Sequence, residues 1–333
     1  MKLPIRKRFV LLLILVLLVV VFLLGPKPQY PVIEAKITAL DMPLTEIEAY
    51  IHQKEAAFSL KPDNEARIIW ADSIPTKTSY SIVFVHGFSA SPMAGSPVVQ
   101  ETAARYGYNL YLTRLAGHGI DNEESFVDIS PKDLIESVKE AIAIGNLIGE
   151  KTIVMASSTG ATLSAYLAAF NPSNVDALLF YAPLISLADG SGKLLSYPWG
   201  LQIARKVFGS KYHKIQTDAP NIEKYWTMQY RLEGLVAVQH LLDETMKPSV
   251  FEHIKLPLLV AYYDKDEVNR DHIISIEGVK KFYDSVSTPT GQKTLIALSE
   301  ANGHVLLSDI QSNNLNQVRE ETFKFLDKLL QTQ

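Results

Sequence analysis

Hydrophobic residues fall along this chain in three regimes. Residues 9–24 form an unbroken apolar run behind a basic cluster (Lys2, Arg6, Lys7 and Arg8) and are stopped by Gly25-Pro-Lys-Pro28. A run of this length is slightly short of the roughly 20 residues that span a bilayer core and longer than the core of about 7 to 15 residues in a signal peptide. No small-x-small cleavage site follows it. The expectation is an uncleaved transmembrane signal anchor over 9–24, with the basic segment 1–8 held in the cytoplasm and everything after residue 25 on the extracytoplasmic side. A cleaved signal peptide, leaving a secreted domain, and a buried soluble helix are the alternatives.

Pro26, Pro28 and Pro31 make residues 25–42 an extended, stiff linker expected to lift the rest of the chain off the bilayer. Residues 43–58 place Leu44, Ile47, Ile51 and Phe58 on one helical face, with Thr45 and Glu48 at capping-box spacing, which predicts a short amphipathic helix covering a sheet. The pattern then changes to alternating strands and helices. Strands are predicted at 66–71, 81–85, 109–113, 152–156 and 177–181, with helices at 98–106 and 159–170, the latter ended by Asn171-Pro172. Such alternation implies a mostly parallel central sheet with helices on both faces, an α/β fold.

Residues 184–251 interrupt this order with a helical, aromatic-rich stretch (Trp199, Phe208, Tyr212, Tyr225, Trp226, Tyr230) that reads as an inserted helical cap. Strands resume at 256–262 and 293–298, and an amphipathic helix over 314–330 closes the chain. The globular domain is therefore assigned to 43–333. Neither an internal repeat nor a low-complexity tract follows residue 31.

Composition narrows the functional classes. The 333 residues are 47% hydrophobic and 20% charged, an ordinary globular balance. The net charge is -4, and the basic cluster Lys2, Arg6, Lys7 and Arg8 contributes +4 with no acid before Glu34, so the remainder is more acidic still. Nucleic acid is accordingly not an expected partner. There is no cysteine, which excludes disulfides, thiolate metal sites and a lipid-modified cysteine. The histidines show neither HExxH nor HxH spacing, and neither metal nor cofactor is expected.

The strongest chemical signal is Met155-Ala-Ser-Ser-Thr-Gly160, lying between a β-branched run and a small-residue helix, as a nucleophile elbow requires. Gly160 sets the register on Ser158; with Ser157 as nucleophile, the position two residues later would hold Thr159 where a small residue is needed. Ala156 stands in place of the first glycine of GxSxG. A serine needs a base and a group to orient it. His304, in Ala301-Asn-Gly-His-Val305, is the candidate base. Asp264 and Asp266, in the turn after one strand, compete for the acid. Asp266 is favoured because it begins an Asp-x-Val pattern; the bland reading of either is a loop carboxylate that caps its own turn. His86-Gly-Phe-Ser-Ala-Ser-Pro92 follows the strand at 81–85, and the backbone N–H groups of Phe88 and Thr159 are the candidate oxyanion donors. His86 itself is read as a brace bonded to loop carbonyls.

His86-Gly-Phe, Gly117-His-Gly, Ser158-x-Gly, Asp266-x-Val and Gly303-His304 together resemble a serine α/β-hydrolase, closest to the capped carboxylesterase, monoacylglycerol lipase and lysophospholipase group, over about residues 66–330. The resemblance implies an α/β-hydrolase fold in which Ser158 attacks an ester carbonyl, His304 relays its proton and Asp266 holds the imidazole. Its substrate would be a small-molecule ester or lipid-like molecule beside a membrane. A proline-iminopeptidase-type peptidase shares the fold and would hold an amino terminus through cap acids such as Glu223 or Glu233. An acyltransferase differs only in the acceptor of the acyl group. A non-catalytic binding protein on the same fold is the remaining alternative. Oligomeric state is not encoded in any of these patterns.

Overall fold

The computed structural model describes residues 5–120, 122–312 and 314–331; Lys2 of the basic cluster lies outside them. Its first element, α1 (Ile5–Leu23), is 19 residues long. Among the described residues, no helix is long and apolar enough to cross a membrane. Arg6, Lys7 and Arg8 fill the first turn of α1, and the 15 helical residues from Phe9 onward rise about 22 Å against roughly 30 Å of hydrocarbon. The transmembrane helix expected over 9–24 is therefore not supported. In its place stands an apolar helix exposed on all sides.

The linker is also different from the expected spacer. It lies on the domain, with the Trp199 N–H donating to Pro26 O at 2.9 Å. Asn171 donates through Nδ2 to Ala35 O at 2.8 Å and accepts from the Ile37 N–H at 3.1 Å. Proline keeps the segment extended, but its unpaired backbone groups find partners on the protein surface instead of in water.

A 3₁₀ turn (Leu44–Glu46) leads into α2 (Ile47–Glu55), which buries Ile47 and Ile51. The turn moves the helix start past Thr45, so the expected Thr45/Glu48 capping box does not form; Glu48 instead accepts from the Trp70 indole N–H at 2.9 Å. The chain continues through β1 (Arg67–Ile69), β2 (Thr78–Val85), α3 (Val98–Tyr106), β3 (Asn109–Leu112), α4 (Pro131–Ile148), β4 (Gly149–Ser157), α5 (Thr159–Phe170) and β5 (Ala177–Tyr181). An insert of α6 (Gly200–Phe208), β6 (Tyr212–Lys214), β7 (Gln229–Arg231), α7 (Leu232–Thr245) and α8 (Pro248–Phe251) comes next. The sheet then resumes with β8 (Leu258–Tyr263), α9 (Ile276–Ser285), β9 (Lys293–Leu298) and α10 (Asn316–Gln331).

Seven strands form one sheet in the order β1-β3-β2-β4-β5-β8-β9, parallel except for β1. Strands β5 and β8 and residues 153–156 of β4 are continuous apolar runs because helices cover both faces. The cap is not wholly helical: β6 and β7 form a two-stranded antiparallel ribbon. Parallel order brings the loops after β2, β4, β8 and β9 to one end of the sheet, where ligands bind in open α/β folds.

Candidate active site

Ser158 occupies the turn from β4 to α5 with φ 50° and ψ -121°, a conformation a non-glycine residue holds only under constraint. The constraint is visible: the Ser158 N–H donates to Tyr181 O at 3.0 Å, and its carbonyl accepts from Ala161, Thr162 and Leu184. Ser157 remains in the strand, paired with Tyr181. Gly160 permits the sharp turn, since a Cβ there would stand 2.2 Å from Val85 O and 2.6 Å from His86 O. Ala156, in the place of the first glycine, is fully buried and its methyl group is accommodated.

The loop after β2 passes directly over the serine. A Cβ on Gly87 would lie 3.0 Å from Ser158 Cβ. Among the described residues, no hydrogen bond engages the N–H of Phe88 or of Thr159. Two buried histidines brace the loop. His86 Nε2 accepts from the Leu115 N–H at 3.1 Å, which leaves Nδ1 to donate to Gly87 O at 2.8 Å. His118 Nε2 accepts from the Ser89 N–H at 3.0 Å and Nδ1 donates to Ala116 O at 2.9 Å. Burial lowers the His86 pKa to about 4, with Arg114 adding to the effect against the Gly87 hydrogen bond, and burial likewise holds His118 well below its ordinary range. Both rings are neutral, and each must be so to accept from a backbone N–H.

His304 lies in the loop after β9, partly exposed, and Nδ1 is 2.7 Å from Asp271 Oδ2. A carboxylate only accepts, so Nδ1 carries a proton, and in the neutral ring Nε2 is then the acceptor. Asp271 is completely buried as a side chain, and its Oδ1 accepts from the N–H groups of Ile273 and Ile274 at 2.8 and 3.2 Å. Burial alone would raise its pKa, but the His304 charge and hydrogen bond and these two amides outweigh it and hold the carboxyl below its ordinary value. The same loop carries Val305, which packs against the cluster of Ala90, Ala94, Ile222 and Trp226, and Leu307 O, which accepts from the Val98 N–H. His304 is thereby tied to the loop that covers Ser158.

The carboxylate bonded to His304 is thus Asp271, not the Asp266 expected from sequence. Asp266 is exposed and accepts from the N–H groups of Val268 and Asn269 and from the Asn269 side chain, which, Asn269 first, lower its pKa. Asp264 pairs with Arg270 at 3.5 Å. Residues 264–270 form a small hairpin, closed by the Asp264 to Arg270 bridge, whose ends return to β8; Asp271 is its exit, donating N–H to Tyr263 O at 3.0 Å. The acids differ in their downstream neighbours. Val268 after Asp266 is 76% exposed, whereas Ile274 after Asp271 is buried and fixes the turn.

In the cap, Arg231 bridges Glu124 and Glu233, and Arg205 donates to Glu233 at 2.6 Å. Hydrogen bonds from Tyr212, Arg231 and Lys211 lower the Glu124 pKa to about 2. Glu233 is therefore committed to two guanidinium groups. Glu223 lies exposed on a 3₁₀ turn. Among the described residues, no group of three metal-ligating side chains gathers.

A strained serine at a strand-to-helix turn, at the carboxyl end of a mostly parallel sheet, defines an α/β-hydrolase. Residues 76–311, well over half the chain, match the family model Hydrolase_4, described as serine aminopeptidase, S33, and the protein belongs to that family. Comparison with curated protein sequences gave no match. Among solved structures, similarity extends to one described under the metagenome-derived lipolytic enzymes LipS and LipT (TM-score 0.65, 16% identity, covering 81% of this chain and 99% of that one). It extends also to a Paleococcus ferrophilus monoacylglycerol lipase (0.57, 14% identity, 80% and 97%). A soluble variant of Saccharomyces cerevisiae monoglyceride lipase is similar over 91% of this chain and 99% of its own (0.57, 13% identity). At these identities the likeness is one of fold.

Proposed function

We propose that this hydrolase cleaves carboxylic esters of lipid-like substrates through Ser158, His304 and Asp271. The observation that carries the reading is the buried Asp271 bonded to His304 on the loop that meets the cover of Ser158. His304 Nε2 removes the Ser158 hydroxyl proton as Oγ adds to the ester carbonyl. The oxyanion forms against the N–H groups of Phe88 and Thr159, and collapse expels the alcohol with the proton from His304. Water, deprotonated by His304, then attacks the acyl-enzyme and releases the acid and Ser158. Transfer to an alcohol in place of water uses the same acyl-enzyme.

The family description favours a second reading, aminopeptidase activity, but Glu233, one of the two cap acids suited to a free amino terminus, is occupied by Arg205 and Arg231. An ester, which needs no such anchor, fits better. The exposed apolar surface of α1, behind its basic first turn, supports association of the chain with a bilayer. The test is hydrolysis by the full chain of acyl esters of increasing length beside an aminoacyl amide, with fluorophosphonate labelling. Ester turnover rising with acyl length and labelling lost in Ser158→Ala are expected. Faster cleavage of the amide overturns the ester reading, and undiminished labelling of the variant overturns the nucleophile.

A further inference from the structure

The apolar surface of the molecule is not confined to α1. On the cap, Leu194, Tyr197, Ile203, Val207 and Phe208 all expose large apolar side chains, Val207 to 78%. Ile203 and Val207 stand one turn apart on α6, while Gly200 and Ala204 form its buried side. Residues 190–211 carry four basic side chains and no acid in a chain of net charge -4. Arg205 pairs with Glu233 of the cap and Lys211 with Glu124 outside it; Lys193 and Lys206 make no ion pair among the described residues.

This face abuts the end of α1. Trp199, at the start of α6, donates its backbone N–H to Pro26 O and its indole N–H to Val21 O at 3.1 Å, filling one of the carbonyls a helix leaves open in its last turn. Gly25 permits this contact, because a Cβ there would fall 1.9 Å from Trp199 Nε1. Whatever surface takes up α1 therefore also receives α6.

We infer that the exposed face of α6, with the 3₁₀ turn before it, docks on an anionic lipid bilayer as a second contact beside α1, seating the cap on the membrane. This rests on the bilayer association proposed above. Two features of α6 select lipid as the occupant: it is contiguous with an apolar helix exposed on every side, and its apolar residues are flanked by cations, the pattern of an interfacial helix. Trp199 stands where the chain would leave the hydrocarbon, the position tryptophan favours. From Phe208 a series of ring contacts runs inward, to His213 at 5.7 Å, Tyr230 at 5.0 Å and Phe88 at 5.5 Å. The docked face is thus continuous with the loop over Ser158.

Because the chain has no cysteine, Val207→Cys and, on α9, Lys281→Cys each accept a single environment-sensitive fluorophore. The labelled full-length variants are mixed with vesicles of phosphatidylcholine and phosphatidylglycerol, then sedimented. The expected result is cosedimentation of both, with a blue-shifted Val207→Cys emission quenched several-fold more strongly by nitroxide lipid than that of Lys281→Cys. Cosedimentation with a water-like Val207→Cys emission overturns the cap contact and leaves the α1 reading standing. Failure of both chains to cosediment overturns both. Ile203→Asp with Val207→Asp is expected to lower hydrolysis of vesicle-borne ester about tenfold and leave that of a soluble short-chain ester unchanged. Equal rates on both substrates, relative to the parent, count against docking.

Discussion

His304 Nδ1 lies 2.7 Å from Asp271 Oδ2, joining the loops that follow two neighbouring strands, β8 and β9. Asp271 is buried and saturated by this bond and by two backbone amides, so it fixes both the tautomer and the direction of the imidazole. Asp271→Asn is expected to lower kcat/KM for ester hydrolysis by about 10^4-fold, because an amide no longer enforces the proton on Nδ1. Asp264→Asn and Asp266→Asn should stay within a few-fold of the parent. Steady-state kinetics on the three variants decides the matter; a large loss in Asp266→Asn alone would reverse the assignment.

Gly160 and Gly87 fail differently when enlarged. Gly160→Ala places a methyl group against the Val85 and His86 carbonyls, which cannot turn away without breaking β2, and an overpacking cost of about 1 to 3 kcal/mol or more is expected. Gly87→Ala presses on the Ser158 side chain with less effect on the backbone. The first should lower the unfolding midpoint in urea. The second should lower turnover at nearly unchanged stability.

The buried histidines predict a specific pH dependence. Folded His86 titrates at about 4 against 6.5 in a free chain. Between those values the unfolded chain binds a proton that the native state does not, so stability falls as pH drops through this window, by about 3 kcal/mol in full, and the His86 contribution levels off below it. His118 adds to the slope with the same sign. Urea unfolding from pH 7 to pH 4 should show this fall, and His86→Gln should be less stable at pH 7 yet have a shallower slope. A parallel slope in the variant would locate the pH sensitivity elsewhere.

Arg114 and Glu55 form a two-bonded pair at 2.7 and 2.9 Å with side chains only 5% and 13% exposed. Glu55 also accepts from the Ala66 N–H at 2.8 Å, so α2, the start of β1 and the loop after β3 meet at one carboxylate. Glu55→Ala leaves a buried guanidinium uncompensated and is expected to cost about 3 to 5 kcal/mol in chemical denaturation.

Asn171 holds the linker through Ala35 and Ile37 while also donating to Leu167 O. Asn171→Ala should release the segment, with faster trypsin cleavage at Lys36 and a loss of about 1 to 3 kcal/mol from buried groups left unpaired. Unchanged cleavage would show that the Trp199 bond to Pro26 and the Tyr30 ring, 5.0 Å from that of His240, suffice to hold it.

Local chemistry made much of the fold legible. The helix Thr159–Phe170 and the strands Ala177–Tyr181 and Lys293–Leu298 coincide with their expected limits, because small-residue or apolar runs end there at clear breaks. Two helices, α4 and α9, are absent from the sequence reading although α4 announces itself with Pro131 and a Ser130/Asp133 capping box. The turn at Ser158 was readable because an elbow is a local device: small neighbours, a strand before and a helix after.

The carboxylate that bonds His304 was not readable, because Asp264, Asp266 and Asp271 share one loop and differ only in where a hairpin turns them. The linker and α1 escaped for a related reason. Proline fixes that a segment is extended, but whether its amides meet water or Asn171 and Trp199 depends on residues more than a hundred positions away. Sequence alone determined the alternating elements, the parallel sheet and the serine at its carboxyl end, since each is dictated by neighbours within a few residues. Tertiary structure decided which aspartate faces His304 and where the amino-terminal helix rests, since both are contacts between distant segments whose burial exists only once the chain has closed.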